Sequence, residues 1–255
     1  MIRQKLMEKG VIVDKGFRWR GHEVTRLEGL SDAVFGFAIT LLVVSLEVPK
    51  TFGELLGLLN DLGAFAISFL MLFIVWLNHY KFFRRYGLRD NLTIWLNAVL
   101  LFLVLFYVYP LKFLFTWLVS VFTGRHGEVR LADGTLTVMV QNEQVSALMI
   151  IFGVGYVAVF AIFVLLYLHA YRRRFVLNLN ELEIFDTRTE IQESSISVGV
   201  GLLSISFAAI GGPRYANVAG LTYMLLGVLL SVHGAVRGKR RRRLEERFPM
   251  AAEAA

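Results

Sequence analysis

No cysteine occurs among the 255 residues of the chain. Disulfides, a thiolate nucleophile and cysteine-ligated metal sites are therefore excluded, and the cellular compartment stays open on that ground. Charge is also scarce. Asp, Glu, Lys and Arg make up 18% of the residues, against about 25% in soluble domains. There is no Ser-His-Asp order, no paired-carboxylate site and no glycine-rich phosphate loop. His79, His169 and His233 lack metal-ligand spacing to other donors. An enzyme is not expected, and neither is a bound cofactor. The first 26 residues are polar and charged, without the short apolar core of a signal peptide.

What the chain has is hydrophobic length. It is 56% hydrophobic with 21 Phe, and its mean hydropathy is +0.59. Uncharged apolar stretches run over 33–46, 62–80, 91–111, 144–171, 194–213 and 215–236. A bilayer core requires about 20 helical residues. The last two stretches are separated by Gly211-Gly212-Pro213 and Arg214, which read as a tight turn. The first is short. Only 14 uncharged residues lie between Asp32 and Glu47, about 21 Å of helix. A spanning helix must include one of those acids, or both must lie where water reaches. A water-lined first helix is the economical solution.

Charge distribution orients the spans. With the N-terminus inside, the segments 1–32, 81–90, 172–193 and 237–255 carry 22 of the 27 Lys and Arg residues. This asymmetry supports six spans with cytoplasmic termini. The net charge of +7 is thus a topology signal first, and nucleic-acid binding is the weaker reading. The arginine run at 239–243 reads as a stop-transfer element that holds anionic lipid head groups. The organisation expected is a basic arm at 1–25, a six-helix membrane domain at 26–237 and a basic tail at 238–255.

Between the spans, residues 51–60 read as a short interfacial helix. Phe113 to Phe122 extends the third span beyond Lys112, and Pro110 is expected to kink it by removing a backbone donor. Alternating residues around Asp133-Gly134 read as a small β-hairpin, either a cap over the outer mouth or a plain loop. The arm at 1–25 is expected to be partly helical.

On the first helix, Phe37, Leu41 and Val44 share a stripe, with the small or weakly polar Gly36 and Thr40 beside it. Spacing alone reads this as helix–helix packing, for which small residues are suited. Arg26 and Asp32 stand at the mouth of the same helix. Charges there are costly unless paired or facing water, and so mark function.

The string Arg26-x-x-x-Leu30-Ser31-Asp32 followed by AVFGFAITLLVVSLEVP resembles the first helix of the transmembrane protein 175 family of potassium channels, whose pattern is R-x-x-x-F-S-D. Leu30 replaces the usual Phe. Trp76-Leu-Asn78-His79 and Trp95-Leu-Asn97 resemble that family's second and third helices. The resemblance covers roughly residues 24–110 and implies an all-α membrane protein of six transmembrane helices. A single repeat per chain implies a homotetramer, with four copies of the first helix around a pore. It places the pore constriction at Phe37, Leu41 and Val44, with Gly36, Thr40 and Glu47 flanking the pore. The narrowest position is usually Ile, where this chain has Phe37. Thr40 falls on a hydroxyl position linked to selectivity. Arg26, Ser31, Asp32, Asn78, His79, Trp95 and Asn97 form an implied structural polar network, in which Asp32 pins the first helix to the second and third. The competing role for Asp32, concentrating cations at the inner mouth, stays open. Glu47 either attracts cations at the outer mouth or is a solvated helix end.

The function implied is a passive, potassium-preferring cation channel of a bacterial inner membrane, with potassium as permeant ion rather than cofactor. With no TVGYG-like carbonyl loop, selection and gating fall to an apolar constriction. The alternatives are a secondary, proton-coupled transporter, which needs a polar site at mid-membrane, or a non-conducting membrane assembly protein.

Overall fold

Among the residues that the structure, a computed structural model, describes (13–14, 17–21, 23–44, 48–60, 62–123, 128–130 and 135–247), six helices are long and apolar enough to cross a membrane. The first is α1, Arg26–Val44. A short helix α2, Phe52–Asn60, follows where an interfacial segment was expected. Then come α3, Leu62–Tyr86, and α4, Asn91–Phe122. A single 3-10 turn at Asn142–Gln144 leads into α5, Val145–Arg172. Helix α6 is Glu181–Thr222, and α7 is Met224–Arg247. Two small antiparallel hairpins complete the set. Strand β1 (Val13–Asp14) pairs with β2 (Phe17–Arg18), and β3 (Glu128–Arg130) pairs with β4 (Leu136–Val138).

Local chemistry accounts for the helix boundaries. Thr25 and Glu28 form a reciprocal cap: the Glu28 N–H donates to Thr25 Oγ1 at 3.1 Å and the Thr25 N–H to Glu28 Oε2 at 2.8 Å. This capping box satisfies orphan donors at the start of α1 and explains why Glu28 is buried. It also lets α1 run through the Asp32 that the apolar count had left at its edge. The 19 residues of α1 span about 28 Å. Helix α4 continues unbroken through Pro110 for 32 residues, about 48 Å and well beyond a hydrocarbon core of about 30 Å.

The expected turn at Gly211–Pro213 is present. Gly212 has φ +55° inside the long α6 segment, a conformation that a Cβ opposes. The chain reverses there, and the Ser204 hydroxyl donates to the Ala219 carbonyl at 2.8 Å across the reversal.

Where the N-terminal arm is described, Val13–Asp14 and Phe17–Arg18 are paired strands; the residues in which helix was expected lie largely outside the described set. Residues 1–12 and the turn residues Asp133 and Gly134 lie outside the described set. Helix α7 passes position 237 without a break, because its arginines dock on α6. Arg237 donates to Thr189 Oγ1 at 2.9 Å and Arg241 to Asp186 Oδ1 at 2.8 Å.

Helix α1 packs on α4 and α3, and α5 packs most extensively on α6. One core cluster joins α1, α3, α4 and α5 through Phe35, Leu42, Phe82, Leu100 and Phe163. A second lies toward the other end, around Leu111, Leu148, Phe152 and Ala208. The end holding the close of α3 and α5 and the start of α1, α4 and α6 carries most of the ion pairs; we call it the basic end.

Candidate pore-lining helix

Helix α1 has two opposed faces. Glu28, Ser31, Phe35, Ala38 and Leu42 point into the protomer and are buried. They recur at alternating intervals of three and four, the period of one helical face. The opposite seam has the same period: Leu30, Ala33, Phe37, Thr40 and Val44 are all exposed. Phe37 is 57% and Val44 71% exposed. Gly36 is exposed beside this seam with open space around its Cα. The Thr40 hydroxyl donates to the Gly36 carbonyl at 2.9 Å, so its lone pairs face outward. Leu41 belongs to a flank instead. It is half-buried and packs against the core. Thr40 therefore takes the central place on the seam that spacing had given to Leu41. Glu47 lies outside the described residues.

The buried face is held by a polar chain. The Ser31 hydroxyl donates to the Leu27 carbonyl at 2.8 Å and accepts from Asn97 Nδ2 at 2.9 Å. Asn97 Oδ1 lies 2.9 Å from His79 Nε2. Since the amide nitrogen is spent on Ser31, His79 carries the Nε2 proton and donates it. Ser31, His79 and Asn97 are all buried, where an unmade hydrogen bond is costly. The His79 ring is packed between Phe35 and Phe83, with centroids at 5.6 and 4.6 Å. One residue each from α1, α3 and α4 thus fixes the rotation of α1 about its own axis.

Asp32 stands apart from this chain. It accepts from the Trp76 indole N–H at 2.9 Å, a partner that sequence reasoning did not assign. Trp76 lies one turn before His79, so both face α1; that shared face is the signal that was available. The remaining residues of the expected network lie elsewhere. Trp95 is 70% exposed on the far side of α4 from Asn97. Asn78 is half-buried against a cavity between α3 and the later helices, away from α1. Arg26 is exposed and forms no ion pair among the described residues.

Two clusters brace the basic end. Glu183, with no exposed side-chain surface, accepts from Arg18 at 3.0 Å and from Arg20 at 2.7 Å. This ties the arm that precedes α1 to the start of α6, and sequence reasoning had not connected them. The arm also meets α3, where the Arg20 and Gly21 N–H groups donate to the Arg84 carbonyl, each at 3.1 Å. Asp90, at the start of α4, is met by His169 Nε2 at 2.6 Å and Arg173 at 3.2 Å. Burial pushes the Asp90 carboxyl up, but hydrogen bonds from Thr93 and His169 outweigh it and hold the group below its ordinary range.

A family model described as "Endosomal/lysosomal potassium channel TMEM175" matches residues 26–107, the segment that supplies α1, α3 and most of α4. A Marivirga tractuosa protein named "Potassium channel" is 38% identical over 244 residues, covering 94% of this chain and 98% of the relative. The chain belongs to the TMEM175 family. Solved TMEM175 structures agree. A crystal structure of the potassium channel MtTMEM175 T38A variant superposes with a TM-score of 0.76 at 38% identity, over 89% of this chain and 98% of that one. A homolog from Chamaesiphon minutus, at 22% identity and a TM-score of 0.52 over 83% of this chain, shares the fold. This TMEM175 family member is thus an integral, multi-pass membrane protein, with six helices among its described residues able to span.

Proposed function

We propose that the protein is a passive, potassium-preferring cation channel, assembled as a homotetramer in which the exposed seams of four α1 helices surround the pore. One observation carries the proposal: α1 is locked by Ser31, Asn97 and His79 on one face, and its other face is a regular seam that is exposed among the described residues. The character of that seam supports water rather than lipid as its neighbour. It combines Ala33, Thr40 and the adjacent Gly36 with Phe37, and Asp32 is exposed near its start. The exposed face of α4, by contrast, presents Trp95, Phe102, Phe106 and Tyr109, the bulky apolar surface that acyl chains solvate.

In such a pore the exposed rings of Phe37 form the constriction, with Val44 a second apolar layer and Thr40 a hydroxyl layer between them. Leu41 backs the constriction from its flank. An apolar narrowing selects by the cost of removing water, which is lower for potassium than for sodium, and closes by dewetting. Asp32, held by Trp76, gives a ring of carboxylates at one mouth. The charge asymmetry of the sequence supports a cytoplasmic basic end in a bacterial inner membrane, where the basic face of α7 meets anionic lipids.

Purified protein in potassium-loaded liposomes tests this. Potassium efflux should proceed without a coupling gradient, and Phe37→Ala should raise it while lowering discrimination against sodium. Flux that saturates at carrier-like rates would favour a transporter. A silent wild type whose Phe37→Ala variant is also silent would remove the channel reading.

A further inference from the structure

A cavity of about 540 Å³ lies away from α1, enclosed by α3, α4, α5, α6 and α7. Its size falls within the usual range for small-molecule sites, about 300–1,000 Å³. It is built with two unlike ends. Along most of its length the wall is apolar, with Val75 from α3, Val104 and Val108 from α4, and Phe152 and Val159 from α5. At the basic end the wall turns polar through Asn78, Glu190, Glu193 and Ser194. Among the described residues, the charged groups in the lining, Glu190 and Glu193, are both carboxylates.

The polar end has unspent hydrogen-bonding capacity. Ser194 is only 8% exposed, yet among the described residues its hydroxyl has no hydrogen-bond partner, unlike Ser31, Ser68 and Ser197, which bond back to their own helices. The Asn78 amide likewise has none. Glu190 is engaged by Arg85 at 2.7 Å. Among the described residues, Glu193 has one ion-pair partner within 4 Å, His233 Nδ1 at 3.6 Å, charged only when that ring is protonated, while Lys81, Arg85 and Arg237 act on it from farther away. The cavity reaches the apolar surface of the bundle, because Met71 and Ile74 on α3 and Met224 on α7 line it and are exposed. A ligand can therefore enter from the hydrocarbon phase.

We infer that this cavity is a binding site for a single-chain cationic amphiphile, an aliphatic chain ending in a protonated amine. The chain lies along the valines and Phe152, and the ammonium reaches Glu193, with the Ser194 hydroxyl and the Asn78 carbonyl oxygen accepting its remaining protons. An ammonium has three donors and no acceptor, which matches these groups. A fatty-acid carboxylate or a phosphate head would meet the Glu193 carboxylate and be repelled, Glu190 being paired with Arg85. A neutral alcohol brings no charge to Glu193. The site is independent of conduction through α1.

Native mass spectrometry of the whole protein in a neutral detergent tests the inference, with dodecylamine, dodecanol and dodecanoate as probes. One dodecylammonium should bind per chain, with dodecanol weaker and dodecanoate absent. Glu193→Gln should weaken dodecylammonium binding about tenfold, the loss of one charge-assisted hydrogen bond. Val75→Trp should block the apolar end and abolish binding; either variant suffices if the other does not fold. Equal binding of amine and alcohol, preference for the carboxylate, no amine adduct, or unchanged amine binding by a folded variant would each overturn the assignment.

Discussion

Replacing Asn97 by Ala removes a side chain that hydrogen-bonds to both α1 and α3. Two hydrogen bonds disappear, Asn97 to Ser31 and His79 to Asn97, each 2.9 Å long. The consequences differ for the two partners. Ser31 keeps its bond to the Leu27 carbonyl and loses only an incoming donor. His79 is left with a buried N–H and no acceptor, wedged between Phe35 and Phe83. Interhelical hydrogen bonds in membranes contribute about 0.6–2 kcal/mol each, and an orphaned buried donor costs about 1–3 kcal/mol. The expected loss is about 2–4 kcal/mol. Ser31→Ala should cost less, about 1 kcal/mol, because only the Asn97 amide loses a partner. The two changes share a bond, so the double variant should be less destabilised than the sum of the singles. Steric trapping or reversible detergent unfolding of the purified protein measures all three. An Asn97→Ala variant within about 0.5 kcal/mol of the parent, the level expected for a neutral surface substitution, would refute the claim that this chain fixes α1.

Two further predictions concern the basic end. Glu183→Gln leaves Arg18 and Arg20 around a neutral, fully buried group, which should destabilise by about 3 kcal/mol and make the arm before α1 cleavable by trypsin at Arg18 or Arg20. Asp90 has a depressed folded pKa, so its contribution is present at neutral pH and is lost as pH falls through and below the ordinary carboxylate range, near 4. Unfolding measured from pH 7 down to pH 3 should show this loss in the parent, and Asp90→Asn should be less stable at pH 7 with a flatter pH profile.

The parts of this architecture that were legible in the sequence depend on local pattern. The length and charge of the apolar stretches marked the spans, Gly211-Gly212-Pro213 marked the reversal, and alternation marked the β3–β4 hairpin. Ser31, His79 and Asn97 were legible as a set through their motifs. The phase of α1 was not. Phe37, Leu41 and Val44 do share a stripe, but a stripe does not show where its centre lies relative to the buried side. That is decided by Ser31, Phe35, Ala38 and Leu42, which turn Leu41 to a flank and Thr40 outward. Trp95 was grouped with Asn97 by closeness in sequence, yet two residues along a helix turn a side chain toward the opposite face. Pairings such as Trp76 with Asp32 and Arg18 with Glu183 join residues 44 and 165 positions apart. No local rule reaches that far; they appear only once the helices are packed.

The lack of native cysteine makes single-cysteine probes of α1 unambiguous. Thr40→Cys, on the exposed seam, should react with a membrane-impermeant methanethiosulfonate reagent, should block potassium flux when modified, and should form disulfides between subunits under mild oxidation. Phe102→Cys, on the exposed face of α4, should do none of these. A Thr40→Cys that behaves like Phe102→Cys, inert to the aqueous reagent and uncrosslinked, would place the seam in lipid and contradict a shared pore.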